Sequence, residues 1–325
     1  MGIRFAPGHR PTITPRAYRA ITLATLASLV FIMVTGAAVR LTGSGLGCST
    51  WPACESDSFF ARTGDTPGMI EDGNRLVTGL VGLFTIAAVL GAHWRSPRRD
   101  DLFRWALGLP VWVLANALVG ALVVVLDLSP VSVIAHFLLS LGALWNALVL
   151  HHKAGETPSP DGRRRELALP VVRRACDLLL VAAGLALVTG TIVTGSGPHA
   201  GDTRADRLPF VVGEVARVHG IAVILFGSLT LIVWWMARSG DAAPSVEARV
   251  RLLFLVLTAQ AAVGYTQYFT GVPAWLVGIH ILGAASVWLA VLWLRLGLSE
   301  PLIYPVTSPS AAAEPASTPG VVIGG

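Results

Sequence analysis

Eight stretches rich in Leu, Val, Ala, Ile and Phe alternate with short polar segments along the chain, at roughly 20–39, 73–94, 102–126, 131–151, 175–195, 213–237, 250–270 and 274–296. At a rise of about 1.5 Å per residue, each forms a helix long enough to cross the hydrocarbon core of a bilayer. Lipid offers the backbone no hydrogen bonds, so a continuous apolar run of this length spans as a helix. The pattern predicts an all-α membrane protein with eight transmembrane helices.

The pattern also repeats. Ala115-Asn116-Ala117-Leu118-Val119-Gly120 is followed by His136, and Ala259-Gln260-Ala261-Ala262-Val263-Gly264 by His280; the polar residue precedes the histidine by 20 positions in both, at an offset of 144. Asn74 pairs with His219 at an offset of 145. Thr35-Gly36 matches Thr189-Gly190, and Thr42-Gly43-Ser44-Gly45 matches Thr194-Gly195-Ser196-Gly197. Self-similarity at a near-constant offset marks an internal repeat. Each copy holds four spans, an even number, so both copies have the same orientation. The expected architecture is two tandem, parallel-related four-helix bundles. Its parts are a tail at 1–19, bundles at 20–152 and 173–297, a polar linker at 153–172 and a disordered tail at 298–325, rich in Pro, Ala, Ser and Gly.

Composition agrees with this reading. The chain is 54% hydrophobic and 13% charged, against about 25% charged in soluble domains. Eighteen of the 24 Lys and Arg residues fall on one side of the topology: in the N-terminal segment (Arg4, Arg10, Arg16, Arg19), the second-to-third loop (Arg95, Arg98, Arg99, Arg104), the linker (Lys153 to Arg174), the sixth-to-seventh loop (Arg238, Arg249, Arg251) and at Arg295. Basic residues remain on the cytoplasmic side, so both termini are expected there. The net charge of +5 is then a topology signal, and its division among short loops excludes a nucleic-acid surface. Arg outnumbers Lys 23 to 1, which points to a GC-rich genome and a bacterial cell membrane; the basic, acid-free first 19 residues are the competing sign of a mitochondrial targeting segment.

Chemistry gathers near the outer face. Asn74, His136, His219 and His280 each lie a few residues past the external start of an even-numbered span, within about 10 Å of the boundary. A histidine inside a span is costly and so a functional candidate. His219 and His280, on different helices of one bundle, are placed to clamp a haem iron from both faces; the plainer reading is a hydrogen-bonded histidine pair between helices. The first half departs from this. His136 matches His280, but Asn74 stands where His219 predicts histidine, and Glu71, one turn before Asn74 on the same helix face, matches Ala216. One half reads as a closed two-histidine site and the other as an opened site with an added carboxylate; a helix-end charge is the plainer account of Glu71 and its neighbour Asp72. Arg75 and Arg217 flank the matched positions and suit haem propionates or lipid headgroups. Asn116 and Gln260 read as helix–helix contacts. Cys48 and Cys54, in the first external loop, lie on the oxidising side, where a disulfide persists either as a structural staple or as a redox-active pair. Cys176 reads as a small buried apolar residue. His199 lies in the Gly-rich external loop that matches the cysteine loop.

These residues together resemble the haem A synthases. The resemblance rests on Thr35 to Cys48 (TGAAVRLTGSGLGC), the Ile70-Glu71 helix start, Thr194-Gly195-Ser196-Gly197-Pro198-His199 and the four matched helix positions, and it spans nearly the whole membrane region. It implies an oxidoreductase that converts a ring methyl of haem O to the formyl group of haem A for terminal oxidases. It implies a haem b, with its iron on His219 and His280, in the C-terminal half. Substrate is implied in the N-terminal half around His136, Asn74 and Arg75, with Glu71 as the catalytic residue. The external cysteine pair is then the family's activity-linked pair, and the implied partners are haem O, the bilayer, haem O synthase and an electron acceptor or donor. Many members have histidine where this chain has Asn74. Two other classes compete. A dihaem b-type electron-transfer cytochrome would need two equivalent sites, against which Asn74 and Glu71 speak. A parallel-repeat transporter would place its polar residues at the midplane.

Overall fold

Proline marks where most of the helices begin. In the computed structural model, which describes residues 12–302, proline occupies the first or second position of five of the eight helices: α1 (Pro15–Leu41), α2 (Thr66–Trp94), α4 (Pro130–Gly155), α5 (Pro170–Ser196) and α7 (Pro244–Phe269). Its fixed φ suits that position, and its missing N–H is not needed there. The others are α3 (Asp100–Val125), α6 (Val212–Met236) and α8 (Ala274–Leu296). Several helices outrun their apolar stretches because the added turns are polar. The chain expected as a tail up to residue 19 already enters α1 at Pro15, where Thr14 Oγ1 accepts from Ala17 N at 3.2 Å. Arg4, His9 and Arg10, and the tail beyond residue 302, lie outside the described residues.

The chain is a multi-pass membrane protein. Seven of the eight helices, all but α7, are long and apolar enough to cross a membrane. The remaining helix, α7, is the least apolar and carries Gln260 and Gln267 among its aliphatic residues. Large apolar side chains such as Leu83, Val111, Leu225 and Trp235 point outward, as lipid-facing surface requires.

Both halves pack by one scheme. Helix α1 lies against α2 and α4, with α3 closing the ring; α5 lies against α6 and α8, with α7 closing it. One core cluster is built on Tyr18, Leu102, Leu109, Leu144 and Leu150, the other on Val172, Leu179, Phe226, Leu253 and Leu294. The seam runs along α1, α4, α5 and α8, where Trp288 Nε1 donates to Leu141 O at 3.0 Å.

The polar linker holds a feature that the all-α expectation omits. Residues Arg164–Glu166 (β1) pair antiparallel with Ser299–Pro301 (β2), the start of the segment expected to be disordered. The next residues pair with the α6–α7 connection, where Ala243 N donates to Leu167 O at 2.7 Å and Leu169 N to Asp241 O at 2.9 Å. Main-chain bonds make this ribbon, and its exposed, charged side chains carry no alternation that would announce it.

Candidate functional site

Each of the four matched positions packs against a glycine on the preceding helix. A methyl group built on Gly264 (α7) would lie 2.9 Å from His280 Cε1, one on Gly190 (α5) 3.1 Å from His219 Cε1, and one on Gly120 (α3) 3.3 Å from His136 Cε1. On Gly36 (α1) it would lie 3.9 Å from Asn74 Oδ1. The helices therefore meet closely at the three histidines, where the missing Cβ makes room for the ring, while the contact at Asn74 is of ordinary length.

Hydrogen bonds orient these side chains. The Thr189 hydroxyl has one proton, which goes to the Leu185 or Ala186 carbonyl at 2.9 and 3.0 Å; His219 Nδ1, at 3.2 Å, is then the donor to Thr189 Oγ1. That fixes the tautomer and leaves His219 Nε2 with its lone pair, as an iron ligand needs. In the first half Thr35 Oγ1 donates to Asn74 Oδ1 at 2.7 Å, closer than its 3.1 Å approach to Ile32 O. Gln260 Nε2 donates to His280 O at 2.8 Å, and the Ser140 hydroxyl lies 2.9 Å from both Asn116 Oδ1 and His136 O. The side chains read as helix contacts thus hold the histidine-bearing turns. Nδ1 of His136 and of His280 is buried with no protein partner among the described residues.

The His219 and His280 rings lie edge to face, with centroids 6.5 Å apart and planes at 81°. Two imidazoles that share one metal at about 2.0 Å per bond have centroids roughly 6 Å apart, so the pair fits an axial haem set. Among the described residues no group of three or more His, Cys, Asp and Glu is placed to hold a metal ion. Two histidines without a third protein donor suit an iron that takes four of its ligands from a macrocycle.

Glu71 is 5% exposed and fully engaged. Its Oε2 accepts from Cys48 N at 2.8 Å, and its Oε1 accepts from Arg75 Nη2 at 2.6 Å, four residues on. Arg75 Nη1 donates to Thr50 O at 2.9 Å and Ala53 O at 3.1 Å, with Pro52 O at 3.4 Å. Cys48 and Cys54 form a disulfide within this loop. The Glu71–Arg75 pair therefore fastens the disulfide loop to α2, one turn before Asn74. Arg75 directs its donors at loop carbonyls, while Arg217 is exposed. The i,i+4 spacing of Glu71 and Arg75 was the available signal for this contact.

Arg40, which the sequence reading passed over, joins the halves at the loop end. Its Nε donates to His199 O at 2.5 Å and its Nη2 to Thr194 O at 2.9 Å, at the end of α5. His199 Nε2 donates to Val272 O at 2.8 Å, so its ring braces the α7–α8 turn. A lone arginine near the end of an apolar span was the cue. His151 and His152 lie at the opposite end of the helices, beside Thr22 and Glu156.

Comparison with known proteins gives the same picture. The family model described as "Cytochrome oxidase assembly protein" (COX15-CtaA) matches residues 19–201, from α1 through the loop after α5. A protein of Symbiobacterium thermophilum named "Heme A synthase" is 26% identical over 261 residues, 77% of this chain and 85% of that protein. One of the same name from Alkalihalophilus pseudofirmus is 25% identical over 304 residues, 85% of this chain and 96% of its own length. These longer matches extend the likeness into the half that holds His219 and His280. With more than half its length matched, the chain belongs to the COX15-CtaA family of cytochrome oxidase assembly proteins.

Proposed function

We propose that this chain is a haem A synthase, an oxidoreductase that converts a ring methyl of haem O to the formyl group of haem A. The observation that carries the reading is a repeated ligand niche that is symmetric in its glycines and threonines but not in its ligands. A protein that only stores electrons gains nothing from making one copy different. All eight helices span the bacterial membrane as two tandem bundles of like orientation, divided at the linker, with both termini cytoplasmic.

In the C-terminal bundle His219 and His280 would hold a haem b, which would supply one-electron storage. Thr189 keeps the His219 ring in the tautomer that presents Nε2, and Gly190 and Gly264 admit the two rings. In the N-terminal bundle His136 takes the iron of haem O, opposite Asn74. Conversion of methyl to formyl takes two successive two-electron oxidations, with water supplying the oxygen and a diol losing water at the end. Protons leave at each step. Glu71 is a buried carboxylate one turn before Asn74, and its bonds to Cys48 N and Arg75 hold it in register with the disulfide loop. The electrons pass to an acceptor on the membrane, and haem O synthase is the supplier of substrate.

Haems extracted from membranes that contain haem O and this chain test the reading. Haem A is expected with the natural sequence and is lost in His136→Ala. Haem A at the natural yield in that variant would overturn the substrate assignment, and no haem A from the natural chain would favour the electron-transfer cytochrome.

A further inference from the structure

The two halves present the same threonine to different side chains. In the C-terminal half Thr189 receives the Nδ1 proton of a histidine whose ring centroid lies 6.5 Å from that of His280. In the N-terminal half Thr35, at the matched place beside a matched glycine, donates to Asn74 Oδ1 at 2.7 Å. Asn74 is thus held in the register of an axial ligand, but its chemistry is different. An amide nitrogen has no free lone pair, because the pair is delocalised into the carbonyl. The amide oxygen is a poor iron ligand and is already turned to the Thr35 hydroxyl, from which it accepts. What remains is Nδ2 with its two protons, for which no hydrogen-bond partner occurs among the described residues.

We propose that the N-terminal site binds its haem through His136 alone and leaves the face toward Asn74 open to a small ligand on the iron, such as water or a diatomic molecule, with Asn74 Nδ2 as the hydrogen-bond donor to it. The inference rests on the reading of this half as the substrate site. Thr35 is then a positioning residue, because it fixes which end of the amide faces the iron. The same protein then holds one haem closed on both faces and one open on one face, and the exchange of His219 for Asn74 at the matched position makes that difference. A donor inside a membrane span has no water to turn to, so an iron-bound ligand that accepts from it is held more tightly. One hydrogen bond of ordinary strength corresponds to about a five- to tenfold slower release.

Carbon monoxide is the probe, added to reduced, full-length protein that carries haem b and added haem O. The natural chain should bind one equivalent, on the haem held by His136, while the haem on His219 and His280 stays low-spin and unreactive and reports that the protein is folded. Asn74→His should close the site: carbon monoxide binding falls at least tenfold and a second low-spin signal appears. Asn74→Leu should keep carbon monoxide binding, raise the C–O stretching frequency and speed release by about five- to tenfold. Thr35→Val should broaden or split the C–O band as the amide loses its fixed orientation. Haem O bound with no carbon monoxide adduct in the natural chain would overturn the open face. An unchanged C–O stretch and release rate in Asn74→Leu would overturn the donor role. His136→Ala separates the underlying reading: an unaltered adduct there means that the substrate haem is held elsewhere, whatever Asn74 does.

Discussion

Glu71→Ala should release the disulfide loop and stop haem A formation without disturbing the haem of the other half. The carboxylate is 5% exposed and accepts from two donors, Cys48 N at 2.8 Å and Arg75 Nη2 at 2.6 Å. Removing one partner of a buried ion pair costs about 3–5 kcal/mol, because the other charge is left uncompensated. Arg75 is partly exposed and retains its bonds to Thr50 and Ala53, so the lower end of that range applies. At about 1.4 kcal/mol per factor of ten, roughly 3 kcal/mol raises the open population of the loop about a hundredfold. Glu71→Gln keeps an acceptor for Cys48 N but loses the charge, for an expected increase of about tenfold. The assay is the rate at which a membrane-impermeant reductant, followed by alkylation and mass mapping, opens Cys48–Cys54. Haem A output and the low-spin haem signal are measured on the same membranes. A reduction rate in Glu71→Ala within about threefold of the natural chain would refute the argument that this carboxylate fastens the loop. Haem A made at the normal rate would remove Glu71 from the reaction.

His280→Ala should abolish the low-spin haem signal of the C-terminal half, and an unchanged optical and paramagnetic spectrum would refute that ligand assignment. Gly264→Ala, which sets a methyl 2.9 Å from His280 Cε1, should shift the same signal, whereas Gly184→Ala, with open space around it, should not; equal spectra for both would argue against the niche. Mass mapping of oxidised membranes should find Cys48 joined to Cys54 and reachable only from the external side, and free thiols on both would count against it. Burial of the Glu156 carboxyl works to raise its pKa, but hydrogen bonding and charge from His152 and Arg164 outweigh this and hold it down at about 2. Its folded value lies below the unfolded value of about 4.3, so its contribution to the linker ribbon is complete above about pH 5 and is lost as pH falls from there toward 2. Hydrogen exchange at Leu302 N, which donates to Arg163 O, should therefore quicken through that window in the natural chain and show no such step in Glu156→Gln.

Hydropathy made the helices legible because each apolar run is long, and the offset of 144 made the matched histidines legible because both copies keep it. The helix ends were less so. The second apolar stretch begins at residue 73, whereas α2 begins at Thr66, where Pro67 favours helix. The partners of Glu71 were hidden for a similar reason: Cys48 N contributes a main-chain donor, which no side-chain pattern records. Thr35 and Thr189 were visible as repeat markers but not as the groups that orient Asn74 and His219, since that depends on the approach of α1 to α2 and of α5 to α6. The β1–β2 ribbon was the least legible feature, because its strands are three residues each and separated by 132 positions between Glu166 and Ser299.

The four glycine niches bear on how such a chain diverges. The space for each ligand is made on the neighbouring helix, so the residue that projects into it can change while the backbone keeps its course. Duplication of a four-helix unit leaves two sockets already cut to size. A single exchange at the projecting position, such as His219 in one half and Asn74 in the other, then changes the chemistry of a socket and leaves the helix behind it as it was. A side chain added at Gly120, Gly190 or Gly264 would press on the histidine in front of it, whereas one at Gly36 would make only ordinary contact with Asn74, so one fold can acquire unequal sites without being rebuilt.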